Sequence, residues 1–434
     1  MDGKKRPSRT YGQLGFKFNN RAAVFVLLSL LSSRWAAAQA SESRLDFARL
    51  YQPVANRLLV ETRREADSLR LLLNRPAGPA GQPLPTLHLV VWPGYEGQQP
   101  QWQGTQRLRL YPGADPASAV LVLTAALPLA QAPAGAMLQV ALEQPTGATQ
   151  NPATTAWVHL TPERLARPFV LLDSMGLVLT RPYVRTGEAV AIAGFGLGQP
   201  LRWRRYAASS TAALPPFADP RRQPATARTL GVLDSSAAPL PASELLRLPQ
   251  QGLYALRVGG MGGEPVRTVP LLVVPPDFPG QSTAPELIDP LLYLTTAAER
   301  QQLRQAADPK RAVDRFWLAS AGGDQAQGRD YIRRYYGLVT LANELFTGHK
   351  AGWLTDRGLL YVVLGAPTSV RRLSSGDERW IYDALDRTGR PTSFTFRPRP
   401  STLAPDNYEL VRRPEYQTLW YAAVERWRKT LTAR

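Results

Sequence analysis

The chain has 434 residues, of which 44% are hydrophobic and 20% charged, so its composition is that of a globular protein rather than a disordered or multi-span membrane protein. Its length predicts several domains, and its 39 Pro and 33 Gly residues favour strands and loops over long helices. The formal charge of +18 would suit a nucleic-acid binder only if the charges were clustered.

The first 40 residues have the pattern of a secretory signal peptide. Six basic residues precede an apolar run at residues 22–31, and Ala36 to Ala40 supply an A-x-A cleavage site. The apolar run is about half the length of a membrane-spanning helix, which disfavours the alternative of an uncleaved anchor. We therefore expect cleavage after Ala40, export to the periplasm or cell envelope, and a mature protein that is not integral to the membrane.

Export would change the charge balance. Residues 1–40 hold seven Lys or Arg residues and one Asp, so the rest of the chain carries +12. That excess is mostly Arg, and it contains no block of five or six basic residues. We therefore expect no nucleic-acid partner, and favour an anionic envelope surface or simple solubility as the use of the charge. The absence of Cys excludes disulfides and a lipid-modified N-terminal Cys.

The first β-rich domain is predicted at residues 41–172. Short turn-bounded runs predict an antiparallel sandwich. They are Leu87 to Trp92, Arg107 to Tyr111, Ala119 to Thr124, Ala136 to Leu142 and Trp157 to Leu160. Residues 45–73 fit either two strands or one charged helix, because periodicity does not distinguish them.

A second sandwich-like domain is predicted at residues 173–274. Its predicted strands are Leu177 to Leu179, Ala189 to Ala193, Leu201 to Tyr206, Gly252 to Val258 and Val266 to Val274. The intervening stretch at 207–251 is long for a loop and should wrap the sheet or stay mobile. Gly194 to Gly198 mimics a dinucleotide fingerprint, but its spacing is GxGxG and a strand follows it, so we expect a hairpin turn and no cofactor.

A Pro-rich linker at residues 275–290 leads to an α+β domain at residues 291–434. Thr296 with Glu299, and Asp308 with Pro309, predict two helix starts, and an apolar stripe predicts a helix from Gln325 to Phe346. An antiparallel sheet and a terminal helix after Pro414 complete the domain. The four predicted strands are Leu359 to Leu364, Glu378 to Asp383, Thr392 to Arg397 and Asn407 to Val411.

One motif in this domain resembles a known family. Gly352-Trp353-Leu354-Thr355-Asp356-Arg357-Gly358, followed by a run ending in Gly365-Ala366-Pro367, is similar to the signature of the GWxTD domain. Spaced aromatic residues across residues 285–434 strengthen the resemblance. It implies an exported bacterial protein, of a kind found notably in the Bacteroidota, but no established reaction or ligand.

The motif has two interpretations. In the structural one, Thr355 or Asp356 caps local backbone N–H groups, and Arg357 pairs with Asp356 or Glu344. Gly358 supplies a positive φ where a helix leads into a strand, and Gly365 and Pro367 end that strand in a tight turn. Trp353 and Trp380 would then form an inner layer. In the functional one, Asp356, Arg357, Trp380 and Tyr382 line an exposed groove for a peptide, glycan or protein.

Catalytic signatures are missing from the sequence. It has three histidines and no HExxH, G-x-S-x-G or Walker A motif, and His349 is expected to be exposed. We expect no metal, cofactor or catalytic residue. The leading hypothesis is a non-catalytic envelope interaction or scaffold protein that binds another envelope protein or a surface polymer. The alternative is a hydrolase of cell-surface glycan or peptide, with Asp356 and Asp383 as the carboxylate pair.

Overall fold

A computed structural model of the chain describes residues 46–53, 57–77, 83–95, 97, 99–112, 119–142, 154–194, 200–219, 231–236, 240–241, 245–259, 265–383 and 390–429. The predicted signal peptide and most of the Gly194 to Gly198 turn lie outside these residues. The described residues belong to one compact unit, Glu42–Arg434. Antiparallel sheets fill its N-terminal part, and helices with one further sheet form its C-terminal part, which confirms the predicted fold class.

The first β-rich region is a sandwich, as predicted. Its sheets have the strand orders β1-β2-β6-β5 and β4-β3-β7-β8. The strands are β1 (Glu61–Glu65), β2 (Ser68–Pro76), β3 (Thr86–Trp92), β4 (Trp102–Arg107), β5 (Arg109–Leu110), β6 (Val120–Pro128), β7 (Met137–Leu142) and β8 (Thr155–His159). Alternate residues such as Leu87 and Leu89 fill a core between the sheets. Residues 61–76 form a hairpin rather than a charged helix.

A short helix, α1 (Pro162–Ala166), leads into the second β-rich region, whose sheets have the orders β10-β17-β16-β12-β13 and β15-β11-β9. The strands are β9 (Phe169–Asp173), β10 (Tyr183–Arg185), β11 (Ala189–Gly194), β12 (Pro200–Tyr206), β13 (Val232–Ser235), β14 (Leu240–Pro241), β15 (Leu246–Arg247), β16 (Gly252–Val258) and β17 (Arg267–Val274). The predicted strand at Leu177 to Leu179 is wrong, because only Val178 forms a single bridge, to Leu172.

The C-terminal region packs helices against a four-stranded antiparallel sheet, β18-β19-β20-β21. The helices are α2 (Ala284–Ile288), α3 (Ala297–Gln305), α4 (Pro309–Ser320), α5 (Gln325–Phe346), α6 (Asp356–Leu364) and α7 (Tyr416–Lys429). The strands are β18 (Ser369–Arg372), β19 (Glu378–Tyr382), β20 (Thr392–Pro398) and β21 (Tyr408–Leu410). Thr296 and Asp308 cap α3 and α4 as predicted, and α2 lies within the predicted linker.

One predicted strand of this region is a helix. Leu359 to Leu364 form the last part of α6, and the first strand of the sheet is β18. Leu359, Leu360 and Val362 are all fully buried, so the helix is apolar on every side. A short, uniformly apolar run has the same appearance in a buried strand and in a buried helix, which explains the error.

Candidate functional site

The motif begins where the chain crosses the C-terminal end of α5. A Cβ atom at Gly352 would lie 1.9 Å from the carbonyl oxygen of Ala342, so a side chain here would collide with the helix backbone. The Gly352 amide donates to Oγ1 of Thr347 at 3.0 Å. The Trp353 amide donates to Oδ1 of Asn343 at 3.2 Å. The first motif glycine therefore allows a close backbone approach that no other residue permits.

Thr355 and Gly358 join this crossing to α6. Thr355 is the N-cap: its Oγ1 accepts the Gly358 amide at 3.0 Å, and its hydroxyl donates to the Gly352 carbonyl at 2.7 Å. Of the two residues predicted to cap backbone N–H groups here, Thr355 does so, although the segment that follows it is a helix and not the predicted strand. The positive φ predicted for Gly358 is wrong, since this residue lies within the helix. Its lack of a side chain matters because a Cβ there would lie 1.9 Å from the Gly352 carbonyl oxygen.

Trp353 occupies a half-buried position beside α5. Its carbonyl oxygen accepts a hydrogen bond from the Tyr293 hydroxyl at 2.8 Å. The two rings meet edge to face with centroids 6.0 Å apart. Trp353 therefore packs at the border of the core, whereas Trp380, its predicted partner in an inner layer, is fully buried.

Asp356 forms a buried ion pair with Arg412. The side chains of Arg412 and Asp356 are 10% and 9% exposed, and Oδ1 of Asp356 pairs with Nη2 of Arg412. Oδ2 accepts the Leu410 amide at 2.7 Å and Nη1 of Arg412 at 3.2 Å. The predicted pairing of Asp356 with Arg357 is therefore wrong, because Arg412 and the β21 backbone already satisfy both carboxylate oxygens.

Arg357 instead lies against aromatic rings. Its guanidinium carbon is 4.4 Å from the ring centroid of Tyr408 and 5.2 Å from that of Phe346. Nη2 donates to the Asp406 carbonyl at 3.0 Å. Among the described residues no carboxylate, Glu344 included, lies within ion-pair distance of Arg357. This cation is therefore held by π faces and a backbone oxygen.

Gly365 and Pro367 follow helix α6 rather than a strand. Gly365 is the C-cap, with φ of 84°, and its amide donates to the Tyr361 carbonyl at 2.9 Å. The prediction that this turn ends a strand is wrong, because the preceding residues Leu359 to Leu364 are helical. The Gly365 carbonyl accepts the Tyr382 hydroxyl at 3.0 Å, which ties the turn to β19.

Trp380 and Tyr382 do not line a groove. They are 0% and 3% exposed, so the predicted exposed surface through these residues is wrong. Both lie on the inner face of β19, an interior strand of its sheet, where side chains pack into the main core with rings such as Tyr51 and Phe394. Their role in this structure is packing.

Glu378 is a fully buried carboxylate that the sequence analysis missed. It accepts hydrogen bonds from the Tyr51 hydroxyl at 2.8 Å, from Nε1 of Trp380 at 2.6 Å and from Nε of Arg372 at 3.1 Å. Burial raises the pKa of Glu378, but the charges of Arg372 and Arg357 and the hydrogen bonds from Trp380 and Tyr51 outweigh it and hold the pKa below its ordinary value of 4.5. The sequence did hold a signal for its burial: Glu378 and Trp380 are two positions apart on a predicted strand, and such residues share a face.

Residues 46–52, which we call the strap, cross from the N-terminal end of the chain into this core. The Phe47 amide donates to the Val370 carbonyl at 2.9 Å, and Oδ1 of Asp46 accepts the Val370 amide at 2.9 Å. The Tyr361 hydroxyl donates to the Tyr51 carbonyl at 2.6 Å. Phe47 and Tyr51 are 2% and 5% exposed. The strap therefore pairs with the edge of β18 and supplies two core side chains.

Residues 207–219, which we call the arm, bind the other side of the motif. Hydrogen bonds along its length join the arm to the C-terminal region. They run from the Ala213 amide to the Leu354 carbonyl at 2.9 Å, from Nζ of Lys350 to the Thr211 carbonyl at 3.0 Å, from Nη2 of Arg412 to the Leu214 carbonyl at 3.1 Å, and from the Arg413 amide to the Pro216 carbonyl at 3.0 Å. This part of the predicted loop therefore docks on the C-terminal region.

The residues considered for catalysis have different surroundings. Asp356 is in its ion pair, whereas Asp383 is exposed at the end of β19. His349 is half-buried rather than exposed, and burial together with the nearby Lys350 lowers its pKa to about 4. Within the described ranges no three His, Cys, Asp or Glu side chains cluster as metal ligands. No helix among these residues has the length and apolar character needed to span a membrane.

Comparison with known proteins identifies the region that contains this site. A search of the curated proteins finds no match to the chain. The family model of the GWxTD domain matches residues 252–429, which include β16, β17 and every element from α2 to α7. The match begins earlier than the domain boundary predicted from the sequence, and it covers the strap's docking site on β18. Residues 252–429 of the chain are therefore similar to the GWxTD domain, and this is the region that holds the site.

Proposed function

We propose that this protein is an exported, non-catalytic interaction or scaffold protein of the cell envelope. One observation carries the proposal: the polar groups of the motif form their hydrogen bonds and ion pair within the chain. Asp356 holds Arg412, which binds the arm, and Thr355 and the two glycines fix the crossing over α5. A signature used to lock segments together supports a rigid structural role more than a chemical one.

Export is supported by the sequence pattern at residues 1–40. Cleavage after Ala40 would leave the mature chain starting five residues before the strap. The mass of the N-terminal peptide, measured on protein from fractionated cells, tests this directly. We expect an N-terminus at Ser41 in the envelope or periplasmic fraction, whereas an intact Met1 in the cytoplasmic fraction would contradict export.

The partner is proposed to be another envelope protein or a surface polymer. Large exposed apolar side chains mark candidate contact positions, and Leu233 and Tyr421 are 56% and 51% exposed. A photo-crosslinking residue placed at each position of the full chain in its native cell should capture an envelope component. The same residue at Arg333, an exposed position on α5, is the control.

The outcomes separate the two hypotheses. Capture of the same envelope component from Leu233 or Tyr421, but not from Arg333, would support a scaffold. Capture of nothing at any position in correctly exported protein would contradict it. Turnover of cell-wall glycan or peptide by the purified chain, lost in Asp383→Asn, would favour the hydrolase instead.

A further inference from the structure

A cavity of about 290 Å³ lies where the strap, the first sandwich and the GWxTD domain meet. Three groups of residues line it. They are Leu50, Tyr51 and Arg57 to Glu61 from the start of the described chain, Thr155 to Val158 and Thr180 from the β-rich regions, and Leu345 and Arg357 from α5 and α6. Its volume is near the lower end of the range for small-ligand pockets, roughly 300–1,000 Å³.

Two guanidinium groups line this cavity without carboxylate partners. Arg57 donates from Nη1 to the Leu50 carbonyl at 2.5 Å and from Nη2 to the Gln52 carbonyl at 2.8 Å. Arg357 contacts rings and one carbonyl, as described above. In the part of the chain that the structure describes, neither forms an ion pair with a carboxylate. Burial lowers the pKa of Arg57, against the opposite effects of Tyr361, Tyr51 and Glu344.

The acidic groups nearby do not neutralise the pair. Glu61 lines the cavity, but its Oε2 is 2.5 Å from Nη2 of Arg167, so its charge is already matched. Glu344, on the exposed side of α5, attracts Arg57 through space without an ion pair, and burial raises the pKa of Glu344. Glu378 likewise acts on Arg357 through space, but it is fully buried and already bonded to Arg372, Tyr51 and Trp380. Among the residues that line the cavity, the two arginines outnumber the one carboxylate, Glu61, and this excess favours an anion.

The remaining wall is largely apolar. Leu58, Trp157 and Leu345 contribute aliphatic and aromatic surface. Such surface favours a ligand whose anionic group is attached to an apolar body. A carboxylate matches the planar fork of a guanidinium.

We propose that this cavity binds a small carboxylic acid with an aromatic or branched apolar body. The site exists only when the strap, the sandwich and the GWxTD domain are assembled, because each supplies part of its wall. The proposal goes beyond the scaffold function and does not depend on export or on an envelope partner.

The test compares two probes of the same shape. Binding of 2-naphthoate and of 2-naphthamide to the chain of residues 41–434 is measured by calorimetry. We expect one site for naphthoate and affinity at least about tenfold weaker for the amide, because the amide cannot form charge-assisted hydrogen bonds with the two guanidinium groups. Added NaCl should weaken naphthoate binding and leave the amide unchanged.

Variants locate the site. Arg357→Gln and Arg57→Gln should each weaken naphthoate binding about tenfold, Leu345→Trp should fill the cavity and abolish it, and Arg333→Gln should change nothing. Circular dichroism melting checks that each variant is folded. Equal affinity for acid and amide, absence of naphthoate binding, or full binding by the folded Leu345→Trp variant would overturn the proposal. If the arginine variants do not fold, the probe pair and its salt dependence decide the outcome on the unaltered chain.

Discussion

At the scale of single residues, the first motif glycine acts through the space it leaves empty. Gly352→Ala would place a Cβ atom 1.9 Å from the Ala342 carbonyl oxygen, which is a backbone atom and cannot rotate away. We expect this change to lower the free energy of unfolding by more than about 3 kcal/mol. Urea unfolding followed by circular dichroism measures the change.

Gly337 is a matched control for Gly352. It lies exposed in the middle of α5, and a Cβ there would meet nothing within 4 Å. Gly337→Ala should therefore raise stability by about 0.5–1 kcal/mol, the ordinary gain for this change within a helix. Similar changes in the free energy of unfolding for the two substitutions would show that the close approach at Gly352 does not contribute to stability.

His349 predicts a dependence of stability on pH. Its pKa is about 4 in the folded chain against an ordinary value of 6.5. Between pH 6.5 and pH 4 the unfolded chain therefore binds a proton at His349 that the folded chain does not. The free energy of unfolding is not reduced by this proton above pH 6.5, and it falls as the pH drops from 6.5 toward 4. His349→Gln should show a smaller loss of stability between pH 7 and pH 5 than the native chain.

The control for this experiment is Arg333→Gln, at an exposed position on α5, which removes no imidazole. Its loss of stability between pH 7 and pH 5 should match that of the native chain. If His349→Gln also matches the native chain, His349 is not a source of the pH dependence. The measurement is urea unfolding at the two pH values.

At the scale of elements, the strap completes the hydrophobic core of the GWxTD domain with two aromatic side chains. Removal of residues 41–52 takes away Phe47 and Tyr51, and loss of one buried aromatic side chain costs roughly 3–5 kcal/mol. It also removes the hydrogen bond that the Tyr51 hydroxyl donates to the carboxylate of Glu378. We expect the shortened chain to melt at a clearly lower temperature than residues 41–434.

A synthetic peptide of residues 41–57 should restore part of that stability when added in trans, since binding to the folded state alone raises the melting temperature. The same peptide with Phe47→Ala and Tyr51→Ala is the control and should have no effect. Equal melting temperatures for the shortened and full chains would contradict the role of the strap.

Local elements were predictable, and long-range partners were not. The caps at Thr296 and Asp308 follow from their near neighbours Glu299 and Pro309, so the sequence was sufficient to predict them. At Thr355 the sequence left Asp356 as an alternative and did not predict the helix that begins there. The Tyr51 and Glu378 pair joins residues 327 positions apart, and the Asp356 and Arg412 pair joins residues 56 apart. No local pattern specifies which of many arginines or acids becomes a partner, because that choice depends on how the sheets and helices pack.

At the scale of the whole molecule, the GWxTD motif joins the β-rich half of the chain to the C-terminal domain. The strap docks on one side of this domain and the arm on the other, and Arg412 links the motif carboxylate to the arm. A buried ion pair that loses one partner typically costs 3–5 kcal/mol. Asp356→Asn should therefore loosen the arm as well as the motif.

Hydrogen exchange of the arm tests this coupling most directly. In the native chain the Ala213 amide is bound to the Leu354 carbonyl at 2.9 Å and should exchange slowly. Mass spectrometry of a peptide covering residues 207–219 should show exchange of this amide at least about tenfold faster in Asp356→Asn. Arg333→Gln, which breaks only an exposed ion pair, should leave it unchanged. Native protection of Ala213 in a folded Asp356→Asn variant would contradict the account of the motif as the joint between the two halves.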